Sequence, residues 1–344
     1  MRILMVRLSS IGDLVHTLPV LSALRKQYPD AKIDWLVERK FRTVLEAVTG
    51  IDSLVEVDTF SWRERMFSPK TWTDIARAIG RLRENSYDVV LDLQGTIKSS
   101  VAARLAKGER RIGFARADLK ERPAALLYSE HVEVNGARPH VIDRQLRLLS
   151  AMDIDTTTRS FALSVPDSIE AAAASALDSL GMNEFVLLNP GGAWVTKRWS
   201  PEKFGALATA IRTRHGIPSL VLWAPGEEAL AQSIVEHSDG ACRLAPATGI
   251  VSLIPFAKRA RVLVSGDTGP MHLASAFDVP IVGIFGPTDP ARNGPFGTRD
   301  EIVLEDVPCG PCYKHRCPGY DNVCMTRIDV EDVLGAVTRQ LERP

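Results

Sequence analysis

No stretch of this chain approaches the ~20 consecutive apolar residues that a membrane-spanning helix needs, which argues against a helical integral membrane protein. Neither sign of charge prevails, because 42 lysines and arginines balance 42 aspartates and glutamates. Bulk electrostatics therefore supply no pull toward nucleic acid or an anionic surface, and any such attraction must come from local patches. The fingerprint G-x-G-x-x-G follows no strand-like run and the loop G-x-x-x-x-G-K-[ST] does not occur, which counts against a dehydrogenase and a nucleoside triphosphatase. No Asp-x-Asp pair sits at a strand end where it would hold magnesium, so no metal is expected in the chemistry. The apolar start, Ile3 to Val6, is strand-length and runs into a turn instead of a cleavage site, so the expectation is a cytoplasmic protein without a signal peptide.

What is present points to two soluble domains. At 344 residues the chain is too long for one ordinary core, and 45% apolar with 24% charged residues is a globular balance. The first half alternates strand and helix: strands at Arg2 to Arg7, Lys32 to Val37, Ser53 to Val57, Asp88 to Leu93 and Arg110 to Phe114. Helices are expected at Asp13 to Tyr28, Val44 to Val48, Thr71 to Glu84, Lys98 to Ala106 and His140 to Met152, with 58–70 a functional loop. Asp153 to Ser164, polar and rich in threonine, reads as a linker, after which the pattern restarts. Strands follow at Glu184 to Leu188 and Ser219 to Trp223, with helices at Pro201 to Arg214 and Gly226 to His237. Two such series imply two doubly wound α/β domains facing each other across a cleft. We place them at 1–160 and 161–326, with a final helix in 327–344.

The most informative stretch is 261–290, RVLVSGDTGPMHLASAFDVPIVGIFGPTDP. A buried-type strand runs into Ser265-Gly266-Asp267-Thr268-Gly269, where Asp267 is an apt N-cap and Pro270 suits a first helical turn. Free amides and the helix dipole make this a diphosphate site in outline. Other candidates also close strands. Asp13, in Ser9-Ser10-Ile11-Gly12-Asp13, is either a general base toward a hydroxyl or a helix cap, and the two roles can coexist. His16 orients a ligand or lines the wall. Lys197, after Gly191-Gly192-Ala193, neutralises a phosphate or is a solvated loop lysine. Glu227 accepts from a ribose or serves the helix dipole, and His272 touches a phosphate or is structural.

Cys309, Cys312, Cys317 and Cys324 stand close in sequence, with Cys242 alone. Their intervals match no paired-CxxC site, and a structural knot, with or without metal, outweighs a catalytic role. Two basic clusters, Trp62 to Phe67 with Arg63 and Arg65, and Arg110, Arg111, Arg116, Lys120 and Arg122, suit an acidic acceptor, although most charge clusters are wet surface.

Taken together, MRILMVRLSSIGDLVHTLPVLSALRKQYPDAKIDWLVE, LDLQGTIKSS, HVIDRQLRLL, NPGGAWVTKRW and SGDTGPMHLASAFDVPIVGIFGPTDP resemble the lipopolysaccharide heptosyltransferases of glycosyltransferase family 9 over nearly the whole chain. SSIGDLVHTLP and IDWLVE are more similar to heptosyltransferase I than to II. The resemblance implies a GT-B fold and an inverting, metal-independent transfer of L-glycero-D-manno-heptose from ADP-heptose to the Kdo region of lipid A. The enzyme would sit peripherally at the cytoplasmic face of the inner membrane. By the same resemblance Asp13 is the base and Lys197 serves the leaving group. Gly192, Ala193, Glu227, Thr248, Asp267, Thr268, Gly269 and His272 hold the donor. Ser9, Ser10, Gly12, His16, Arg63, Gln94, Lys98, Arg122 and Arg144 hold the acceptor. Where some members carry threonines, this chain has Gly192 and Ala193, so backbone amides would replace hydroxyls. A heptosyltransferase II type, another family 9 acceptor and a nucleotide-binding protein without turnover are the alternatives.

Overall fold

A computed structural model describes residues 1–134, 139–154, 156, 159–319 and 321–343. The chain divides into two compact units, Met1–Ser164 and Val165–Pro344. Asp155, Thr157 and Thr158 of the expected linker lie outside the described residues.

The first unit holds six parallel strands: β1 (Arg2–Val6), β2 (Lys32–Glu38), β3 (Ser53–Val57), β4 (Val89–Asp92), β5 (Arg110–Phe114) and β6 (Glu130–Val132). Its helices are α1 (Ile11–Gln27), α2 (Thr59–Glu64), α3 (Pro69–Arg83), α4 (Ile97–Leu105) and α5 (Val141–Leu146). β1 and β4 are near-continuous apolar runs because helices cover both faces of a parallel sheet. α1 buries most of its faces, and the Thr17 hydroxyl, 2.5 Å from Gln145 Oε1, ties it to α5.

The second unit repeats the plan with β7 (Val186–Asn189), β8 (Ser219–Val221), β9 (Cys242–Leu244), β10 (Val262–Gly266), β11 (Ile281–Phe285) and β12 (Glu301–Leu304). The helices are α6 (Asp167–Leu180), α7 (Pro201–His215), α8 (Glu228–Glu236), α9 (Ile254–Arg259), α10 (Gly269–Ala276), α11 (Pro290–Asn293), α12 (Val323–Thr326) and α13 (Val330–Leu341). α13 buries Val333, Leu334, Ala336 and Val337 in this unit's core, so the final helix belongs to it.

Both sheets share one order. The first runs 3-2-1-4-5-6, and the second, counted from its own first strand, runs the same way. This is the Rossmann arrangement, and the ends of β1 and β4, and of β7 and β10, flank the point where strand order reverses. Ligands bind at that point in open α/β sheets because loops diverge there.

The stretch 58–70, expected as a loop, is mostly helical. Asp58 accepts the Ser61 N–H at 3.2 Å and starts α2, so the exposed aromatics and cations sit on a capped helix and a short turn. Strands β6, β9 and β12 and helices α6 and α9 had no counterpart in the sequence reading.

Candidate functional site

In the first unit, Ser10 caps α1 and Asp13 is the third helical residue. Asp13 Oδ2 accepts both the backbone N–H and the hydroxyl of Ser10, each at 2.9 Å. Its Oδ1 pairs with Arg7, a buried guanidinium that also donates to the Leu93 carbonyl at 2.6 Å. One oxygen holds the helix start, the other meets Arg7, and the side chain stays 33% exposed. Arg7 was not singled out from sequence, although a lone cation closing an apolar strand is a visible signal.

Around Asp13 the first-unit candidates separate. Ser9 and Gly12 share its loop and helix turn, and His16 is buried edge-on to His140 at 5.6 Å. Lys98 Nζ lies 2.9 Å from Glu38 Oε1 and 3.0 Å from Thr59 Oγ1, joining α4, the end of β2 and the start of α2. Glu38, nearly fully buried, and Thr59 are further polar groups that the sequence reading passed over. Gln94 Oε1 takes the Leu8 N–H at 2.8 Å and so braces the Asp13 loop. Arg144 stacks over the Phe114 ring at 3.6 Å and donates to the Asp118 carbonyl at 3.1 Å. Arg63 and Arg122 are exposed, and their side chains make no hydrogen bond or ion pair among the described residues. The expected second basic cluster dissolves in part, because Arg110 is bidentate to Glu130, both contacts at 2.7 Å, and Arg111 donates to the carbonyls of Leu127 and Gly108.

The second unit is more tightly assembled. Lys197 closes a short 3-10 turn after β7, with Nζ 2.6 Å from Asp267 Oδ2 and 4.4 Å over the Trp194 ring. His272 Nε2, in the first turn of α10, lies 3.1 Å from Asp267 Oδ1. Burial alone would raise the Asp267 pKa, but His272 and Lys197 outweigh it and hold the carboxyl well below the usual range. Asp267 is not the N-cap expected of it. Thr268 occupies that position, and the Asp267 side chain turns to Lys197 and His272 instead. Asn189, another residue missing from the candidates, donates to Ser265 Oγ at 2.8 Å and Thr268 Oγ1 at 3.0 Å, locking β7 to the loop after β10.

Glycine permits two close approaches here. A Cβ on Gly266 would lie 2.7 Å from the Lys197 carbonyl oxygen, and one on Gly191 would lie 2.5 Å from the Glu227 carboxylate. Glu227 accepts the N–H groups of Gly192 and Ala224, each at 3.2 Å, and so bridges the loops after β7 and β8. Ala193 follows on the exposed rim, while the Thr248 hydroxyl donates to the Trp223 carbonyl at 3.1 Å. The start of α10 at Gly269 presents free amides beside Lys197, an arrangement suited to a phosphate.

The five cysteines are free thiols. Among the described residues, no three His, Cys, Asp or Glu side chains are placed to hold a metal ion. The cysteine-rich segment instead buttresses the Lys197 turn: the Lys314 carbonyl accepts the Thr196 hydroxyl at 2.9 Å, Asn322 donates to the Thr196 carbonyl at 3.1 Å, and the His315 ring lies 3.8 Å from that of Trp194.

The profile of Glycosyltransferase family 9 (heptosyltransferase) matches residues 75–321. Lipopolysaccharide heptosyltransferase 1 of Pseudomonas aeruginosa is 30% identical over 92% of this chain and 87% of its own. Lipopolysaccharide heptosyltransferase 3 of Escherichia coli is 25% identical over 81% of each. An Escherichia coli heptosyltransferase solved with ADP-2-deoxy-2-fluoro heptose superimposes with a TM-score of 0.76 at 25% identity, covering 99% of both chains.

Proposed function

From a chain that belongs to glycosyltransferase family 9, and so is a GT-B heptosyltransferase of lipopolysaccharide core biosynthesis, we infer a heptosyltransferase I. It would transfer L-glycero-D-manno-heptose from ADP-heptose to the Kdo region of lipid A, as a peripheral protein at the cytoplasmic face of the inner membrane. The observation that carries the donor side is the Lys197–Asp267–His272 chain at the start of α10. The solved relative with a fluorinated ADP-heptose supports the same donor.

In this reading Asp13 takes the proton of an acceptor hydroxyl as its oxygen attacks the anomeric carbon from the face opposite ADP. The new C–O bond forms, the bond to the β-phosphate breaks, and configuration inverts. Ser10 and Arg7 fix the Asp13 rotamer, so little reorganisation is left for the reaction itself. The leaving diphosphate gains negative charge, which Lys197 and the amides of Thr268 and Gly269 neutralise; the reading calls for no metal. Asp267 is a positioning residue that aims Lys197 and His272. Lys98, with its Glu38 and Thr59 partners, belongs to the acceptor side.

Mass spectrometry of products from ADP-heptose tests this directly. Addition of one heptose to Kdo-bearing lipid A is the expected result. Addition only to an acceptor that already carries heptose would replace the type I reading with that of heptosyltransferase II or another family 9 acceptor. ADP release independent of any acceptor would remove the transferase reading altogether.

A further inference from the structure

The turn between α2 and α3 exposes Met66 at 53% and Phe67 at 93%, and the first turn of α3 exposes Trp72 at 62%. Such clusters are uncommon on a wet surface without a partner. The turn is well braced, since Thr71 donates to the Arg65 carbonyl at 2.7 Å and the Ser68 N–H to the same carbonyl at 2.9 Å. Beside it a cavity of about 260 Å³ is lined by Arg39, Arg65, Lys70, Arg77 and Arg81. Arg39 pairs with Glu56 and Asp58, and Arg77 with Asp74. Arg65, Lys70 and Arg81 have no ion-pair partner among the described residues.

We propose that the α2–α3 turn docks this protein on an anionic bilayer, with Phe67, Met66 and Trp72 in the interfacial layer and Arg65, Lys70 and Arg81 against lipid phosphates. Aromatic rings favour the headgroup level, where an apolar body and a polar edge are both satisfied. Basic side chains gain from the negative surface potential over the same few ångströms. A second copy of the chain fits less well as the occupant: a symmetric contact through this patch would set unpaired cations against each other. The inference gives the peripheral membrane contact proposed above a definite address, yet it rests on exposure and charge alone.

Vesicles without any saccharide keep its test separate from the heptosyl reading. The full-length chain is sedimented with vesicles of phosphatidylcholine alone and of phosphatidylcholine mixed with phosphatidylglycerol. Binding is expected only to the mixed vesicles and should fall as salt rises. Phe67→Ser with Trp72→Ser should weaken partition at least ~10-fold. Arg65→Glu with Lys70→Glu should weaken it about fivefold or more per cation. Leu126→Ser, at an apolar site 80% exposed elsewhere in the same unit, should change nothing. Brominated lipids should quench the wild-type fluorescence more than that of Trp72→Phe. Equal partition of wild type and the two double variants would overturn the proposal. So would light scattering in which those variants alter only self-association. On a deacylated, water-soluble acceptor the Trp72→Ser protein should retain turnover, which separates docking from catalysis.

Discussion

Two buried carboxylates occupy the same topological place in the two units and behave in opposite ways. Asp92 ends β4, the fourth strand of the first sheet, and Asp267 follows β10, the fourth strand of the second. Asp92 is surrounded by neutral donors: the Tyr128 hydroxyl at 2.7 Å, the Ser99 hydroxyl at 2.9 Å, and the N–H groups of Gln94 and Gly95, both at 3.0 Å. Burial therefore dominates and pushes its pKa up. Asp267 has Lys197 and His272 for partners, and its pKa is held down. A neutral shell turns a strand-end carboxylate into scaffold for the Gln94–Lys98 loop. A shell of Lys197 and His272 keeps the other ionised at the start of α10.

Asp13→Asn should break the first unit's part most severely, lowering turnover by ~10² to 10⁴ while the melting temperature moves little. ADP release measured with saturating donor and acceptor checks it, and near-normal turnover would remove Asp13 as the base. Lys197→Ala comes next. It strips charge from the leaving-group side and is expected to cost ~10² to 10³ in turnover. It also leaves the buried Asp267 carboxylate without its lysine partner, so a loss of melting temperature should accompany the kinetic loss, and Lys197→Arg should recover part of both.

Gly266→Ala and Tyr128→Phe set scaffold against site at smaller magnitude. The first forces a Cβ against the Lys197 carbonyl, so it should destabilise by about 1–3 kcal/mol and raise the donor KM. The second deprives Asp92 of one hydrogen bond at about 1–3 kcal/mol, with turnover per folded molecule nearly unchanged. A turnover loss in Tyr128→Phe as large as that in Lys197→Ala would erase the distinction drawn between the two carboxylates.

The smallest effect is a pH dependence of opposite sign. Asp267 has its folded pKa below the ordinary 3.8, so its stabilisation is complete above 3.8 and is lost as pH falls through the folded value. Asp92 has its folded pKa above 3.8, so its contribution is complete below 3.8 and is lost as pH rises through the folded value. The melting-temperature gap between wild type and Asp267→Asn should widen as pH rises from about 3 to 5, whereas the gap to Asp92→Asn should narrow. Gaps that run in parallel would show that the two shells do not differ in the way their partners suggest.

Much of the fold was legible because it is written in local patterns. β3 and β5 have the bounds their apolar runs and turn residues predict. β6, β9 and β12 escaped because each is a short edge strand with charged or polar positions, held by pairing with one neighbour instead of by its own pattern. The candidate site was legible as motifs, since Asp13, Lys197, Asp267 and His272 all follow strand ends. Their partners were not. Arg7, Glu38 and Asn189 make their decisive contacts with residues remote in sequence, such as Arg7 with Leu93 and Asn189 with Ser265.

The sequence by itself determined that this is a doubly wound α/β protein with a glycine-rich turn into a helix after β10. Those features depend on spacing within about 30 residues, and the side-chain periodicities of strands and helices make such spacing readable. Only the tertiary structure decided what each polar residue does. Whether Asp267 caps a helix or holds a lysine, and whether 58–70 is a loop or a helix with an apolar tip, depend on which groups are brought near. Those neighbours set dielectric, hydrogen-bond partners and exposure, and a linear pattern contains none of the three.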